Sequence, residues 1–441
     1  MKKKSIYIGL TVAMLAMGGC KLDYTNPNGP TDNQILTSRE GMITLAVGLK
    51  QYYSQSCVQN LINAVGVTSR ELKGVSTFTN VLELEAGGTA LPTFNANILN
   101  LWSAELRAMG MADNLMSQSK VILAADLPTQ TGLVAFGSLF KAMTITGLAT
   151  AYEQFPITTS TAGNVSFVTR QAGLENAIDL LDAAVAAIAA NAPSTEFNTR
   201  VLGSNIILLD CINTYRARIN MMLGRYAPSL TAANLVNLAT KSQFDYTTQS
   251  QNPIYNQVVI AANFKPRANF GLPAGLFEAG DARLNFYLST PDVVVGGETL
   301  KTIKGFFDAI DKPIPVYLPD EVRLLKAEAI IRSNGDLNVA KTFIDEVRTQ
   351  TTGDPFGVYA ALPAYSGPLT ADALLTEVYK QRSAELFLQG LRLEDSRRFG
   401  RPAPPANLNP VPTTYERTRN FYPYPDQERL NNTNTPADPA I

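Results

Sequence analysis

Leu174, Ala177, Ile178, Leu181, Ala184, Val185 and Ile188 recur at steps of one, three and four residues. That spacing lays side chains along one face of a 3.6-residue turn, so the stretch is committed to an amphipathic helix. The same period runs through 97–124, where Ile98, Leu101, Trp102, Glu105, Leu106, Met109, Ala112, Leu115 and Met116 fall mostly on one side. Trp102 sits on that apolar face and reads as core. Thr37-Ser38-Arg39-Glu40 is a capping signal and opens a helix running to about Ser54. Further helices are expected over 131–151, ending before Pro156, and over 204–223 and 231–241, with Gly224-Arg225-Tyr226 as the turn between them. The last ones cover 317–333, 336–350 and about 370–389, the first two joined at Asn334-Gly335-Asp336. The fold class is mostly α. Helix pairs with short glycine turns suggest tetratricopeptide-like units, scattered rather than in a regular array.

From about 244 to 316 the helical period disappears and Gly, Pro, Asn and aromatic residues punctuate the chain. A stretch of that length without helix signal tends to be functional or to carry short strands. Val293-Val294-Val295 before Gly296-Gly297 predicts a hairpin. From Arg401 on, Pro and Asn predict irregular structure.

The chain contains no histidine, which removes Ser-His-Asp and Cys-His catalysis, His-ligated zinc and His general acid–base work. Of three cysteines, Cys57 and Cys211 read as buried free thiols, with a Cys57–Cys211 bridge as the alternative. With 37 basic and 38 acidic residues there is no concentrated basic surface for nucleic acid. No phosphate-binding glycine loop and no EF-hand pattern occurs. Asp308 and Asp311 beside Lys312 could bind calcium but read as an exposed charged turn, so no cofactor and no metal site is expected. Glu83 and Glu85 alternate in Val81-Leu82-Glu83-Leu84-Glu85, which reads as a half-buried strand with a solvated side. Paired carboxylates are what a glycosidase needs, but the strand pattern accounts for these two, and no catalytic residue is assigned.

Lys2, Lys3 and Lys4 precede an apolar stretch from Ile6 to Met17, too short to span a bilayer, and Gly18-Gly19-Cys20 follows. This resembles a bacterial lipoprotein signal, with Met17 where leucine is commoner. The resemblance implies a signal peptide over 1–19 and a lipid-carrying Cys20, with acyl chains such as palmitate on it. Residues 20–36, rich in Asn, Pro and Gly, read as anchor and tether.

Asn26-Pro27-Asn28 with Thr37 to Gly41, then Trp102 with Asn114-Leu115, resemble the opening and the next helix of the SusD/RagB family of outer-membrane lipoproteins, which the body of the chain resembles. Gly137 to Ala142, Leu148 to Tyr152 and Phe155-Pro156 follow in family order, then Gly280-Asp281-Ala282-Arg283-Leu284, and Leu324 to Ala329 with Gly335-Asp336. The strongest block is Gln381 to Gly400, similar to the pattern R-x-x-E-L-x-x-E-G-x-R-x-x-D-x-x-R-x-G, with Gln389 in place of the usual Glu and Leu393 in place of a frequent aromatic. Tyr422-Pro423-Tyr424-Pro425 with Asn431-Asn432 resembles the family's close. Within the block Arg382 and Glu385 are three apart and can pair, and Arg392, Asp395 and Arg398 repeat at the same step, a structural network.

The resemblance implies a single SusD-like domain over 37–441. Its helical scaffold would cover about 37–243 and 317–400, its irregular ligand side 244–316 and its irregular tail 401–441. It implies a binding protein, not an enzyme, that faces the cell exterior from the outer membrane. Such a protein takes up oligosaccharides and delivers them to a SusC-like TonB-dependent transporter. The alternatives are peptide or other nutrient binding of the RagB type, and a helical scaffold that gates the transporter without a ligand. With one tryptophan in the core, a glycan platform would use Phe and Tyr. The candidates by composition are Phe78 and Phe94, then Tyr255, Phe264, Phe270 and Tyr287 in the irregular region.

Overall fold

Ser38 caps the first helix of the structure, its Oγ accepting the Gly41 N–H at 3.0 Å. The structure is a computed structural model and describes residues 37–160 and 163–441. The signal segment 1–19, Cys20 and the tether 20–36 lie outside the described residues.

Helix α1 covers Arg39–Tyr52 and does not stop near Ser54. A π-turn over Tyr53–Cys57 re-phases it into α2, Val58–Thr68. Polar Ser54, Gln55 and Ser56 look like a helix end, but the extra residue of a wide turn rotates Tyr53, Ser54 and Cys57 into the core instead. Strand β1, Leu72–Gly74, follows, and then helix α3, Thr79–Ala86. The alternation of Glu83 and Glu85 is therefore helical, not the strand expected. Val81 and Leu84, three apart, are the residues it buries. Asn95 caps α4, Ala96–Ile122, and Asp126 caps α5, Leu127–Ala151.

Helix α5 is long and apolar enough to cross a membrane, yet it is almost wholly buried in this chain. Its neighbours α4 and α6, Arg170–Ala190, cover it, and α6 buries Leu174, Ala177, Ile178, Leu181 and Ala184 of the predicted stripe. Val185 and Ile188 are partly buried against the same core.

Helices α7, Leu208–Met222, and α8, Tyr226–Ala233, form the next pair. The second lies upstream of the expected 231–241. Pro228 falls in the first turn, where its missing N–H costs nothing. Asp210 then fixes 237–240 as a turn by accepting the Asn237 N–H at 3.2 Å and the Thr240 hydroxyl at 2.9 Å.

The region 244–316 is largely irregular, as its composition predicts, but the period misses a short helical run over Pro253–Tyr255 and Asn256–Ile260, two 3-10 turns and a six-residue helix. That helix is α9, Ala282–Tyr287, capped by Asp281. The predicted hairpin forms from strands Leu288–Val295 and Glu298–Ile303, turning at Gly296 and Gly297. Both glycines have positive φ, 60° and 80°, which the two-residue turn demands. Among the described residues the other three sheets are two-stranded: Leu72–Gly74 with Phe264–Pro266, Gln154–Phe155 with Val168–Thr169, and Gln243–Phe244 with Ile314–Pro315.

Helices α10, Pro319–Arg332, and α11, Leu337–Thr349, meet at the Asn334-Gly335 turn, and α12, Ala371–Glu385, packs against both. Leu324, Ile331, Ile344, Val347, Leu374 and Val378 form a core of their own there. Arg382 does not pair with Glu385. Its guanidinium donates to both oxygens of Asp395, at 2.9 and 3.0 Å, while Glu385 accepts from Arg283 at 3.2 Å. Residues three apart on α12 reach different neighbours once the chain turns back at Leu386–Leu391. Arg398 closes on Asp395 at 2.5 Å and Arg392 donates to the Ser383 carbonyl at 2.6 Å. Cys57 and Cys211 are buried free thiols.

Candidate functional site

The N-terminal ends of α3 and α4, one side of α2 and the irregular segment 257–264 enclose a cavity of about 170 Å³. Strand pairing brings the distant segment there. Gly74 pairs with Phe264, and the Asn263 carbonyl accepts the Val75 N–H at 2.9 Å. Gly74 also lets α3 approach closely, because a Cβ at that position would lie 2.7 Å from Val81.

A charge network behind the cavity fixes this junction. Arg267 donates to Glu85 and to Glu298, each at 2.5 Å, and Lys73 pairs with Glu298 at 2.6 Å. Burial pushes the Glu298 carboxyl up, but the hydrogen bonds from Arg267 and Lys73 outweigh it and hold the group below the usual range. Burial, then the neighbouring Arg267 charge, brings Arg70 down to about 10.

The cavity lining is unusual in composition. Gln59, Asn60 and Asn63 come from α2, and Asn80, Asn97 and Asn100 from the starts of α3 and α4. Gln257 and Asn263 complete the set of amides, with Phe78, Phe264, Ala64 and Val81 between them. No lining side chain is titratable. Asn95, just behind, anchors the rim. Its Nδ2 donates to the Asn80 carbonyl at 2.9 Å and to Glu83 at 2.8 Å, and its Oδ1 accepts the Asn97 N–H at 2.9 Å. Asn97 donates to the same Asn80 carbonyl at 2.9 Å. Asn263 donates to the Gln257 side-chain oxygen at 3.2 Å. An amide offers two donors and an acceptor with two lone pairs, so such a wall can meet groups that both give and take hydrogen bonds.

Of the six aromatic candidates, Phe78 and Phe264 line this cavity. Phe78 is 62% exposed and presents a free ring at the mouth. Phe264, 2% exposed, is part of the floor. Phe94 is exposed but lies outside the lining, one residue before the anchoring Asn95. Tyr255 is half-buried beside the turn that carries Gln257. Phe270 and Tyr287 are core residues, not a platform. They pack edge-on to each other and to Phe387, and the Tyr287 hydroxyl donates to the Glu385 carbonyl at 2.9 Å. The stretch 244–316 is irregular on the sequence, but much of it folds under as a second wall of the core. The amides were not among the sequence candidates. Their one signal was Asn63, a lone polar residue in the apolar run Leu61-Ile62-Asn63-Ala64-Val65.

A second opening, about 530 Å³, runs past Lys304, Lys312, Phe306 and Phe356. Its cations are already engaged: Lys304 donates to the Asn285 carbonyl at 3.1 Å, Lys312 lies 3.8 Å from Asp308, and Lys241 sits over the Phe356 ring at 5.8 Å. Among the described residues no cluster of His, Cys, Asp and Glu could hold a metal ion.

Residues 315–439 match the SusD family. That stretch holds the Gln381 to Gly400 block and is less than half of the chain. Solved structures of SusD superfamily proteins share its fold along most of its length. One from Bacteroides thetaiotaomicron superposes with a TM-score of 0.72 at 13% identity, over 91% of this chain and all (100%) of that one. B. fragilis NanU gives 0.69 at 12% identity, over 94% and 99%. A SusD-like carbohydrate binding protein from Bacteroides vulgatus gives 0.65 at 13% identity, over 90% and 97%. At these identities the likeness is one of fold. No curated protein matches the sequence. The mostly helical architecture with its short strands is thus the fold of these SusD superfamily structures.

Proposed function

We propose that this protein is a member of the SusD/RagB family that binds oligosaccharide in the amide cavity and delivers it to a SusC-like TonB-dependent transporter. It does so from the outer face of the outer membrane, held there by lipid on Cys20. The observation that carries the ligand class is the lining: eight amides and an exposed phenyl ring, with no charged group among them. Sugar hydroxyls both donate and accept, and a phenyl face takes the apolar side of a sugar ring. A hydrolase would need two facing carboxylates, and this lining has none. The protein therefore acts by binding. Tethered beside a pore, a binder raises the local concentration of a dilute ligand, which is the use of such a protein to a transporter.

The test is binding of the purified full chain to panels of polysaccharides and of peptides, by affinity electrophoresis and calorimetry. Retardation by a glycan class, lost in Phe78→Ala, supports the reading. Binding of peptides alone moves the protein to the RagB-type alternative. Binding of neither, with co-purification of a barrel partner, makes it a gating scaffold.

A further inference from the structure

We infer that the cavity accepts one uncharged sugar unit and that Asn63, on its floor, is the residue that selects it; this rests on the glycan reading above. Asn63 is 6% exposed on α2, and its side-chain oxygen is buried with no hydrogen-bond partner. Two other buried amides of this chain, Asn252 and Asn95, are saturated. Asn252, fully buried, donates to the carbonyls of Phe306 at 2.9 Å and Lys312 at 2.8 Å, and its Oδ1 accepts from the N–H groups of Ile254 and Tyr255, each at 3.0 Å. Asn95 is equally engaged.

Elsewhere Asn176, Asn256, Gln350 and Gln389 each have a buried unpartnered amide atom, but among the amides of this lining Asn63 alone does. An unpaired buried acceptor is unfavourable, and leucine or alanine would suit an apolar helix face at this position. The place where its partner can come from is the cavity it lines.

Two features set the ligand class. The lining carries no charge to replace the water lost by a carboxylate or sulfate, so an acidic sugar would be desolvated without compensation. At about 170 Å³ the cavity is below the range for whole drug-sized ligands, so one ring enters and the remainder of the oligosaccharide runs out past Phe78. A site built to hydrogen-bond one hydroxyl discriminates strongly against the analogue lacking it, because its own polar group is then left unpaired.

The experiment compares the full chain with Asn63→Leu against neutral and acidic oligosaccharides, at low and high salt, with thermal melting alongside. The expected result is wild-type binding of a neutral oligosaccharide, insensitive to salt. Asn63→Leu should bind at least about tenfold more weakly, with a thermal midpoint equal to or above that of the wild type. Asn63→Ala, which adds no bulk, gives the same reading should leucine not fit. Wild-type affinity in either variant overturns the role of Asn63. Binding of acidic glycans only, weakening with salt, overturns the uncharged ligand and leaves the glycan reading standing. No binding of any glycan by the wild type overturns both.

Discussion

The indole N–H of Trp102 donates to a carboxylate oxygen of Glu428 at 3.0 Å. It joins the first turns of α4 to the C-terminal tail, 326 residues away in sequence. The ring also stacks against Phe167 at 5.7 Å and meets Tyr152 edge-on at 4.7 Å and Tyr424 at 6.1 Å. Tyr422 adds a hydrogen bond to Thr68, 2.8 Å long, and Tyr424 accepts the Gln154 N–H at 3.1 Å. The proline-rich tail is therefore a strap across the ends of α2, α4 and α5.

Trp102→Ala is expected to destabilise the protein by ~3–5 kcal/mol, the range for a large buried aromatic. Trp102→Phe, which mainly removes the donor to Glu428, should cost ~1–3 kcal/mol. Urea unfolding followed by circular dichroism separates the two. Trp102 is the sole tryptophan, so its fluorescence reports release of the strap directly.

Tyr287 and Phe78 should part company on mutation. Tyr287→Ala removes a fully buried ring and its hydrogen bond and is expected to cost ~3–5 kcal/mol. Phe78→Ala removes an exposed ring, so stability should stay within about 0.5 kcal/mol while glycan binding weakens. Equal losses of stability in both would contradict the placement of these rings.

Glu105 predicts a specific pH response. It is fully buried between α4 and Gly147 of α5, and neither carboxylate oxygen has a partner. Burial raises its affinity for a proton well above normal, with the neighbouring Cys57 thiol opposing only in part. The folded state therefore holds a proton that the unfolded chain releases above about pH 4.3. That contribution to stability is greatest below this value and declines as pH rises toward the folded-state pKa. Glu105→Gln should be more stable than the wild type at neutral pH, and the difference should close as pH falls. Thermal midpoints at several pH values check it.

Asp395 works in the opposite direction. Burial alone would raise its pKa, but the Arg382 and Arg398 charges more than offset it and the net shift is downward. Its stabilisation is present above the unfolded-state value of about 3.9 and is lost as pH falls through the folded one. Asp395→Asn leaves two buried guanidiniums without their carboxylate and is expected to cost ~3–5 kcal/mol at pH 7. The variant should also show a shallower loss of stability in acid than the wild type.

Native protein should leave Cys57 and Cys211 unmodified by a thiol reagent, and both should react after denaturation. Burial raises both thiols, Cys211 to about 12, so neither supplies thiolate at neutral pH. A thiol count before and after urea decides between this and a bridge.

Helix identity was legible wherever the apolar period was long. The stripe from Leu174 to Ala184, the Asp336 start of α11 and the Gly296-Gly297 turn all carry their structure in local spacing or φ preference. Short segments were not legible. The pattern of Val81 to Glu85 fits a strand or a helix, and its neighbours chose: Asn95 on the Asn80 carbonyl and on Glu83, and Arg267 on Glu85. The same holds for the aromatic candidates, because sequence cannot distinguish a ring under a loop from a ring on one.

By itself the sequence determined the helical scaffold, the absence of histidine chemistry and the resemblance to the SusD/RagB family. These follow from periodicity, composition and motif order, all local or additive properties. Only the tertiary structure decided which polar residues face one another. The cavity draws on Gln59 and Asn263, which come together because β1 pairs with a strand almost two hundred residues later and an ion network locks that register. A contact of that kind is set by chain reversal and packing, and no spacing within either segment encodes it.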